Sequence, residues 1–129
     1  MKLLLDTHIL LWFQAGDPAL PKAAEQAIRS EANEAFVSIV SFWEIGLKHS
    51  IGKLPLRMSL DAFFATIIEA PFQILQLDPQ HVVAASALPL HHRDPFDRML
   101  IAQARYEGMH IITVDGQFKT YEVPLIGLP

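Results

Sequence analysis

The chain has 129 residues, 51% of them hydrophobic, a formal net charge of −4 and no cysteine. This size and apolar content suit one folded domain with its own core and exclude a disordered chain, and the absence of cysteine excludes disulfides and thiolate metal sites. No apolar run reaches the ~18 residues that span a bilayer, and Asp6 and His8 interrupt the apolar start where a signal peptide would continue. We therefore expect one domain over residues 1–129, cytoplasmic and without a membrane.

The hydrophobic pattern predicts pairs of helices between successive strands. In chain order we expect a strand at 2–5, helices at 7–14 and 22–31, a strand at 35–40, helices at 42–50 and 60–70, a strand at 72–77, a helix from Pro79, a helix from Pro95 to Gly108, a strand at 110–114 and an edge strand at 123–126. Ser59, Asp78 and Asp94 are predicted N-caps. This alternation predicts an α/β fold with a central parallel β-sheet flanked by helices on both faces.

Four acidic residues stand where a predicted strand ends or a helix begins. They are Asp6, Glu44, Asp97 and Asp115. The carboxyl ends of parallel strands share one edge of a sheet, where ligands bind, so these side chains are expected to gather there. Several unpaired carboxylates in one pocket repel each other unless a cation lies among them. The pattern predicts a site for a divalent metal, and hard oxygen ligands favour Mg²⁺ or Mn²⁺ over zinc.

Each acid also has a local structural interpretation. Asp6 could cap a helix at Thr7, Glu44 could form a capping box with Ser41, Asp94 and Asp97 could stabilise a helix start, and Asp115-Gly116 could be a turn. Independent caps need not share one edge of a sheet, and this common position favours the metal site. No paired spacing among the histidines indicates a zinc site, so His8, His91 and His92 are expected to face solvent or substrate.

Other residues near the acids are assigned more ordinary positions. Hydroxyl groups beside the acids are expected to cap helices rather than orient water: Thr7, Ser38, Ser41 and Thr113. Three aromatic residues are expected in the core: Trp12, Phe13 and Trp43. Four basic residues are candidates for steering the backbone of a nucleic acid, although a solvated surface is an equally good interpretation: Lys48, Lys53, Arg93 and Arg98.

Phosphodiester hydrolysis suits such a pocket, because a carboxylate-held metal activates water and offsets developing charge. Two other functions stay open. A phosphotransfer module, such as a response-regulator receiver, also carries acids at strand ends, but Asp6-Thr7-His8 lacks a second aspartate two positions on, and no strand-end lysine is found. A non-catalytic binding domain would retain the fold alone, and an acidic cluster without a cation would destabilise it.

Ordered segments over nearly the whole length carry a family resemblance. They are Leu4-Leu5-Asp6-Thr7-His8, Val37-Ser38, Ser41-Phe42-Trp43-Glu44-Ile45, Gly52-Lys53-Leu54, His92-Arg93-Asp94-Pro95-Phe96-Asp97-Arg98, Ile101-Ala102-Gln103-Ala104 and Thr113-Val114-Asp115. In this order the chain resembles the PIN-domain ribonucleases, specifically the VapC-type toxins of bacterial toxin–antitoxin pairs.

The resemblance implies a Mg²⁺-dependent endoribonuclease, with Mn²⁺ expected to substitute for Mg²⁺. Asp6, Glu44, Asp97 and Asp115 match the metal-binding acids of the family, and Asp94 is the second choice at the position of Asp97. RNA is the implied substrate. The resemblance also implies a cognate antitoxin, VapB-like, that occupies or blocks the groove of the active site, and it implies a homodimer.

Overall fold

The computed structural model describes residues 1–127. In chain order its elements are β1 (Lys2–Leu5), α1 (Thr7–Ala15), α2 (Lys22–Arg29), β2 (Glu34–Ser38), α3 (Ile39–Ser50), α4 (Leu60–Glu69), β3 (Gln73–Leu75), α5 (Pro79–Ser86), α6 (Pro95–Glu107), β4 (His110–Ile112), a 3-10 helix (Gly116–Thr120) and β5 (Leu125–Ile126). The predicted order of strands and helices is confirmed. Within the described residues, no helix is long and apolar enough to cross a membrane.

The five strands form one parallel sheet in the order β3-β2-β1-β4-β5. The chain first builds outward from β1 through β2 to β3, and then returns to place β4 on the other side of β1. The strand order therefore reverses between β1 and β4, and ligands of open α/β sheets bind beyond the carboxyl ends at such a point. A receiver domain has the order 2-1-3-4-5 instead, so this topology argues against the phosphotransfer alternative.

Helices cover both faces of the sheet, as predicted. Neighbouring residues of a strand point to opposite faces, so Leu3 and Leu5 enter one hydrophobic cluster and Leu4 enters the other. The first cluster packs under α1 to α4, with Ile45 and Ile67 fully buried, and the second packs under α6 and the 3-10 helix. Burial on both faces explains why the strands are continuous apolar runs rather than alternating ones.

Local signals in the sequence place most of the helix boundaries correctly. The Ser59 and Asp94 side chains accept hydrogen bonds from backbone amides of the helices that they precede, and Asp78 does the same before Pro79. Helices α1 and α6 end at Gly16 and Gly108, which adopt the left-handed conformation that glycine tolerates best.

The boundary between β2 and α3 was predicted wrongly. The strand ends at Ser38 and the helix begins at Ile39, three residues earlier than predicted. Ile39 and Val40 are β-branched, which favours a strand assignment from sequence. The Ser38 hydroxyl accepts a 3.0 Å hydrogen bond from the Val40 amide, however, and so starts the helix there. This shift moves Glu44 from the first turn of α3 to its second.

Candidate metal centre

A cavity of about 440 Å³ opens at the carboxyl edge of the sheet, beside the point where the strand order reverses. All five acids singled out from the sequence line it: Asp6, Glu44, Asp94, Asp97 and Asp115. Its other polar lining residues are Thr7, His8, Lys48, Lys53 and His92. The fold therefore brings together carboxylates that are up to 109 positions apart in the chain.

Asp6 follows β1 directly and is nearly buried, with 6% of its surface exposed. Asp6 occupies the N-cap position of α1, as its local interpretation predicts, but its side chain makes no capping hydrogen bond to that helix. The Thr113 hydroxyl instead donates a 2.9 Å hydrogen bond to Asp6 Oδ2. Burial raises the pKa of Asp6 to about 6, and the charge of Glu44 adds to the rise, although the bond from Thr113 opposes it.

Glu44 is 5% exposed and turns into the cavity from the second turn of α3. The predicted capping box with Ser41 is wrong, because the helix begins at Ile39 and Ser38 caps it. Glu44 Oε2 accepts a hydrogen bond from the Lys48 ammonium, one turn further along the helix. Within residues 1–127, Glu44 Oε1 is buried and has no hydrogen-bond partner. A buried carboxylate oxygen without a protein partner is costly, and it fits a site that binds a cation.

Asp94 and Asp97 share the first turn of α6 but have different surroundings. Asp94 Oδ1 accepts hydrogen bonds from the Phe96 and Asp97 amides at 2.8 and 3.3 Å, so this oxygen caps the helix as predicted. Asp97 is 8% exposed, and burial together with the charge of Asp6 raises its pKa to about 7. Of this pair, Asp97 is therefore the buried acid, and the charge of Asp6 acts on it.

His92 was expected to face solvent or substrate, and the structure places it in the cavity with a contact to Asp97 that was not predicted. Its Nε2 lies 2.8 Å from Asp97 Oδ2, a contact that lowers the pKa of Asp97 and opposes the rise from burial. His92, Asp94 and Asp97 each offer one ligand atom, and these three atoms lie within 4.8 Å of one another. Among residues 1–127, this is the one group of three or more histidine or acidic residues with ligand atoms so close together. The position of His92 just before Asp94-Pro95 was the only sequence signal, since no paired histidine spacing exists.

Asp115 lines the cavity, and one of its oxygens makes a local hydrogen bond. Its Oδ1 accepts a 2.9 Å hydrogen bond from the Gln117 amide and caps the 3-10 helix, a more regular structure than the turn predicted. Its own amide donates to the Thr113 hydroxyl at 3.0 Å. Thr113 therefore connects Asp115 to Asp6 and does not merely cap a helix, as was expected.

The other hydroxyl groups beside the acids have similar roles in joining elements. The Thr7 hydroxyl donates to Ser41 Oγ at 2.9 Å, which ties α1 to α3 where both approach the cavity. Ser38 is the helix cap that was expected, and its hydroxyl also donates to Gln103 Oε1 at 2.6 Å. All four hydroxyl groups are buried. They hold the ends of β1, β2 and β4 in one arrangement.

The four basic candidates separate into two pairs. Lys48 and Lys53 line the acidic cavity, whereas Arg93 and Arg98 line a different pocket beside α5. The Arg98 guanidinium donates to the carbonyls of Ala85, Leu88 and Pro89 and to the Tyr121 hydroxyl. These bonds tie α6 to the end of α5, to the connection between the two helices and to Tyr121, which follows the 3-10 helix, so Arg98 has a structural role here.

Among the aromatic residues, Trp43 differs from the prediction. It is 62% exposed, and its ring packs against that of Phe96 with ring centroids 5.0 Å apart. The buried positions of α3 include Ser41, Glu44 and Ile45, and Trp43 lies outside this face of the helix. Trp12 and Phe13 are partly buried against the first hydrophobic cluster, as predicted.

Lys48 is the cation closest to the acids. Burial alone would lower the pKa of its ammonium, but the hydrogen bond to Glu44 and the charges of Glu44, Asp94 and Asp97 outweigh burial and raise it. Two lysines face five acids in this cavity, which leaves an excess of negative charge. Burial is the main cause of the raised pKa values of Asp6 and Asp97, and the charges of neighbouring acids add to it. The donor set is mainly carboxylate oxygen, which fits a hard divalent cation.

Comparisons with known proteins agree with this fold. The profile of the PIN domain matches residues 3–124. The ribonuclease VapC22 of Mycobacterium tuberculosis is 28% identical over 122 residues, covering 94% of this chain and 92% of that protein.

Two solved structures show the likeness in three dimensions. A chain in the structure of VapBC2 from Rickettsia felis bound to a DNA fragment from its promoter superposes with a TM-score of 0.72 at 14% identity, over 97% of both chains. VapC20 of Mycobacterium tuberculosis, a toxin that cleaves the sarcin–ricin loop, superposes with a TM-score of 0.66 at 17% identity, over 94% of this chain and 95% of that one.

Proposed function

This chain belongs to the PIN domain family, and from that premise we propose that it is a metal-dependent endoribonuclease acting as the toxin of a toxin–antitoxin pair. The similarity to the ribonuclease VapC22 over nearly the full length of both proteins supports the reaction class. The proposed substrate is RNA, the proposed cofactor is Mg²⁺ with Mn²⁺ as a substitute, and the proposed partner is a VapB-like antitoxin.

One observation carries the metal requirement. Three nearly buried carboxylates, Asp6, Glu44 and Asp97, face one cavity. In the part of the chain that the structure describes, one oxygen of Glu44 has no hydrogen-bond partner. Burial and mutual repulsion raise the pKa values of two of these acids, so the site is destabilised at neutral pH without a further cation. A divalent ion held by oxygen ligands would offset the repulsion between the carboxylates and would give the Glu44 oxygen a partner.

The acids of the cavity have different proposed roles in holding the ion. Asp6, Glu44 and Asp97 would hold the ion, with Asp115 contributing from the rim and Asp94 as the alternative to Asp97. When bound, the ion would supply a lowered pKa for a coordinated water and charge neutralisation at the phosphate.

Thr113 orients Asp6, and His92 orients Asp97. Lys48 and Lys53, on the same cavity, would bind the RNA backbone.

The partner proposal has its own support. The neighbours of this fold include toxin–antitoxin complexes, among them VapBC2 from Rickettsia felis and a VapBC from Salmonella typhimurium bound to DNA. An acidic, concave site would accept a basic side chain of an antitoxin, which would compete with both metal and RNA. The family resemblance also motivates the homodimer, which gel filtration with light scattering would test.

Cleavage of a mixed RNA pool tests the proposed function. Purified protein is incubated with Mg²⁺, with Mn²⁺ and with EDTA, and the products are resolved on a sequencing gel. We expect cutting only with metal, reduced at least about a hundredfold in Asp6→Asn. Asp61→Asn is the matched control, because Asp61 is an exposed aspartate in the first turn of α4, away from the cavity.

Folding is checked first by circular dichroism, so that loss of cutting is attributed to the site. Cutting that persists in EDTA, or that Asp6→Asn retains, contradicts the proposed metal mechanism. The phosphotransfer alternative is tested by intact mass spectrometry after incubation with a small phosphodonor. An aspartyl phosphate on the protein would support phosphotransfer instead.

A further inference from the structure

Lys48 and Glu44 form an ion pair inside the site proposed for the metal. The Lys48 ammonium donates to Glu44 Oε2 from one helical turn away, and both residues line the cavity. Pairs with this spacing are common on helix surfaces, where they stabilise a helix by a few tenths of a kcal/mol. In this pair, however, the glutamate is a proposed metal ligand.

The surroundings separate this pair from a surface ion pair. The Glu44 side chain is 7% exposed whereas the Lys48 side chain is 42% exposed, so the acid is held in place while the base reaches in from solvent. The other Glu44 oxygen has no hydrogen-bond partner among residues 1–127. The charges of Asp94 and Asp97 also act on Lys48. Lys48 therefore neutralises only part of the negative charge of this site.

We infer that the Lys48 ammonium is an internal cation that competes with the divalent metal for Glu44 and turns to the RNA phosphate once the metal is bound. The inference rests on the proposed function, because it takes Glu44 as a metal ligand. Two cations against one carboxylate repel each other, and this repulsion is strong where the dielectric constant is low. Lys48 would thus protect the fold without metal and lower the affinity for metal.

Once it leaves Glu44, the Lys48 ammonium would contact an RNA phosphate in the same cavity. Lysine carries its charge on a flexible stem with three donors, and the exposed part of Lys48 faces the cavity that RNA would enter. A phosphate there would replace Glu44 as the partner of Lys48. The same residue would then serve the metal-free protein as a counter-ion and the complex as a phosphate contact, so metal and RNA would bind with positive coupling.

Isothermal titration with Mn²⁺ tests the competition directly, without measuring activity. Lys48→Met keeps the length and apolar stem of the side chain but removes its charge. At a pH of about 8, where the carboxylates are ionised, we expect Mn²⁺ to bind roughly ten- to a hundredfold more tightly to this variant than to the wild-type protein. Lys48→Arg retains the charge and is expected to stay within about threefold of the wild type.

Lys53→Met is the matched control. Lys53 lines the same cavity, but it is exposed and, over residues 1–127, has no salt bridge to an acid. Removing its charge should change Mn²⁺ affinity much less than Lys48→Met does. Lys48→Gln provides a second neutral variant in case Lys48→Met fails to fold, and thermal unfolding in EDTA reports the folded state of each protein.

The outcomes distinguish this inference from the proposed function. If neutral variants of Lys48 bind Mn²⁺ no more tightly than Lys53→Met, the competition is disproved, although binding that Asp6→Asn abolishes would still support the metal site. If neither the wild type nor any Lys48 variant binds Mn²⁺, the proposed metal site itself is wrong.

The second half of the inference requires an RNA measurement. Affinity for a fluorescent RNA oligonucleotide is compared with and without Ca²⁺, under conditions where a gel shows intact RNA. We expect the ion to strengthen RNA binding in the wild type more than in Lys48→Met, by about threefold or more. An equal effect of the ion on both proteins would show that Lys48 does not move to the phosphate.

Discussion

The Thr113 hydroxyl donates a 2.9 Å hydrogen bond to Oδ2 of Asp6, across 107 positions of the chain. The two residues follow the adjacent parallel strands β1 and β4, whose register pairs Leu5 with Ile112. The same hydroxyl accepts a bond from the Asp115 amide at 3.0 Å. One buried threonine therefore sets the position of two of the proposed site acids.

Thr113→Val is expected to lower both stability and cleavage. Valine has the shape of threonine but lacks the hydroxyl, so Asp6 loses a donor and the Asp115 amide loses an acceptor. The free energy of unfolding should fall by about 1–3 kcal/mol, and cleavage by roughly tenfold. Urea unfolding and RNA cleavage measure the two effects. Thr120→Val is the control, because the Thr120 hydroxyl donates to Gln117 O at an exposed site, and its loss should cost less than about 1 kcal/mol.

The metal-free protein should lose stability as the pH rises. A carboxyl whose pKa is higher in the folded protein keeps its proton where the unfolded chain has lost it. Asp6 rises from 3.8 to about 6 and Asp97 from 3.8 to about 7, so the stabilising contribution is present below about pH 4 and is lost between pH 4 and 7. Urea unfolding in EDTA at about pH 5 and pH 7.5 should show a loss on the order of 1–3 kcal/mol.

Two comparisons attribute this pH dependence to the acidic site. Asp6→Asn should flatten it, because the amide does not titrate and no longer repels Asp97. Saturating Mn²⁺ should remove most of the loss in the wild type, since metal binding stabilises the folded protein above pH 6. Equal pH slopes in the wild type and Asp6→Asn would show that other groups control the stability.

His92→Gln is expected to reduce cleavage while leaving metal-induced stabilisation largely intact. His92 Nε2 contacts Asp97 Oδ2, and this bond orients the acid and limits the rise of its pKa. Its loss should lower the cleavage rate about tenfold and move the acidic limb of the pH profile upward. The increase in melting temperature with Mn²⁺ should remain. Loss of that increase, as in Asp6→Asn, would instead make His92 a metal ligand. His91→Gln, at the exposed neighbouring histidine, is the control.

Arg98→Met is expected to destabilise the protein without changing how RNA binding depends on salt. The guanidinium bonds three carbonyl groups and the Tyr121 hydroxyl, and its removal leaves several of these acceptors without a partner. The free energy of unfolding should fall by about 2 kcal/mol. Lys53→Met should have the opposite profile, with unchanged stability and a weaker salt dependence of RNA binding. A shallower salt dependence in Arg98→Met would restore Arg98 as an RNA contact.

The main features of the fold were accessible from local sequence. Apolar runs of four or five residues, proline after aspartate at two helix starts and glycine at two helix ends all act over a single turn or strand. These signals placed Asp6 and Asp115 after strands and Asp97 in the first turn of a helix, as the structure has them. Because parallel strands share a carboxyl edge, the order of elements was enough to predict that the acids gather.

The errors arose where tertiary contacts override local preference. Ile39 and Val40 have the propensity of a strand, yet Ser38 caps a helix before them, and its hydroxyl is held by Gln103 from α6. This displaced boundary explains the wrong capping box at Glu44. No property of residues 35–44 alone indicates that Gln103 lies beside them.

The pattern of residue types in the chain determined that carboxylates line one edge of a parallel sheet, because strand and helix signals depend on near neighbours. The tertiary structure alone decided that Thr113 is the partner of Asp6, across 107 positions of the chain. The partners of the other two acids lie nearby in sequence, because Lys48 is one helical turn from Glu44 and His92 is five residues from Asp97. Within residues 1–127, packing also left one oxygen of Glu44 without a hydrogen-bond partner. A contact between distant segments depends on a distance of a few ångströms, and only packing sets such a distance.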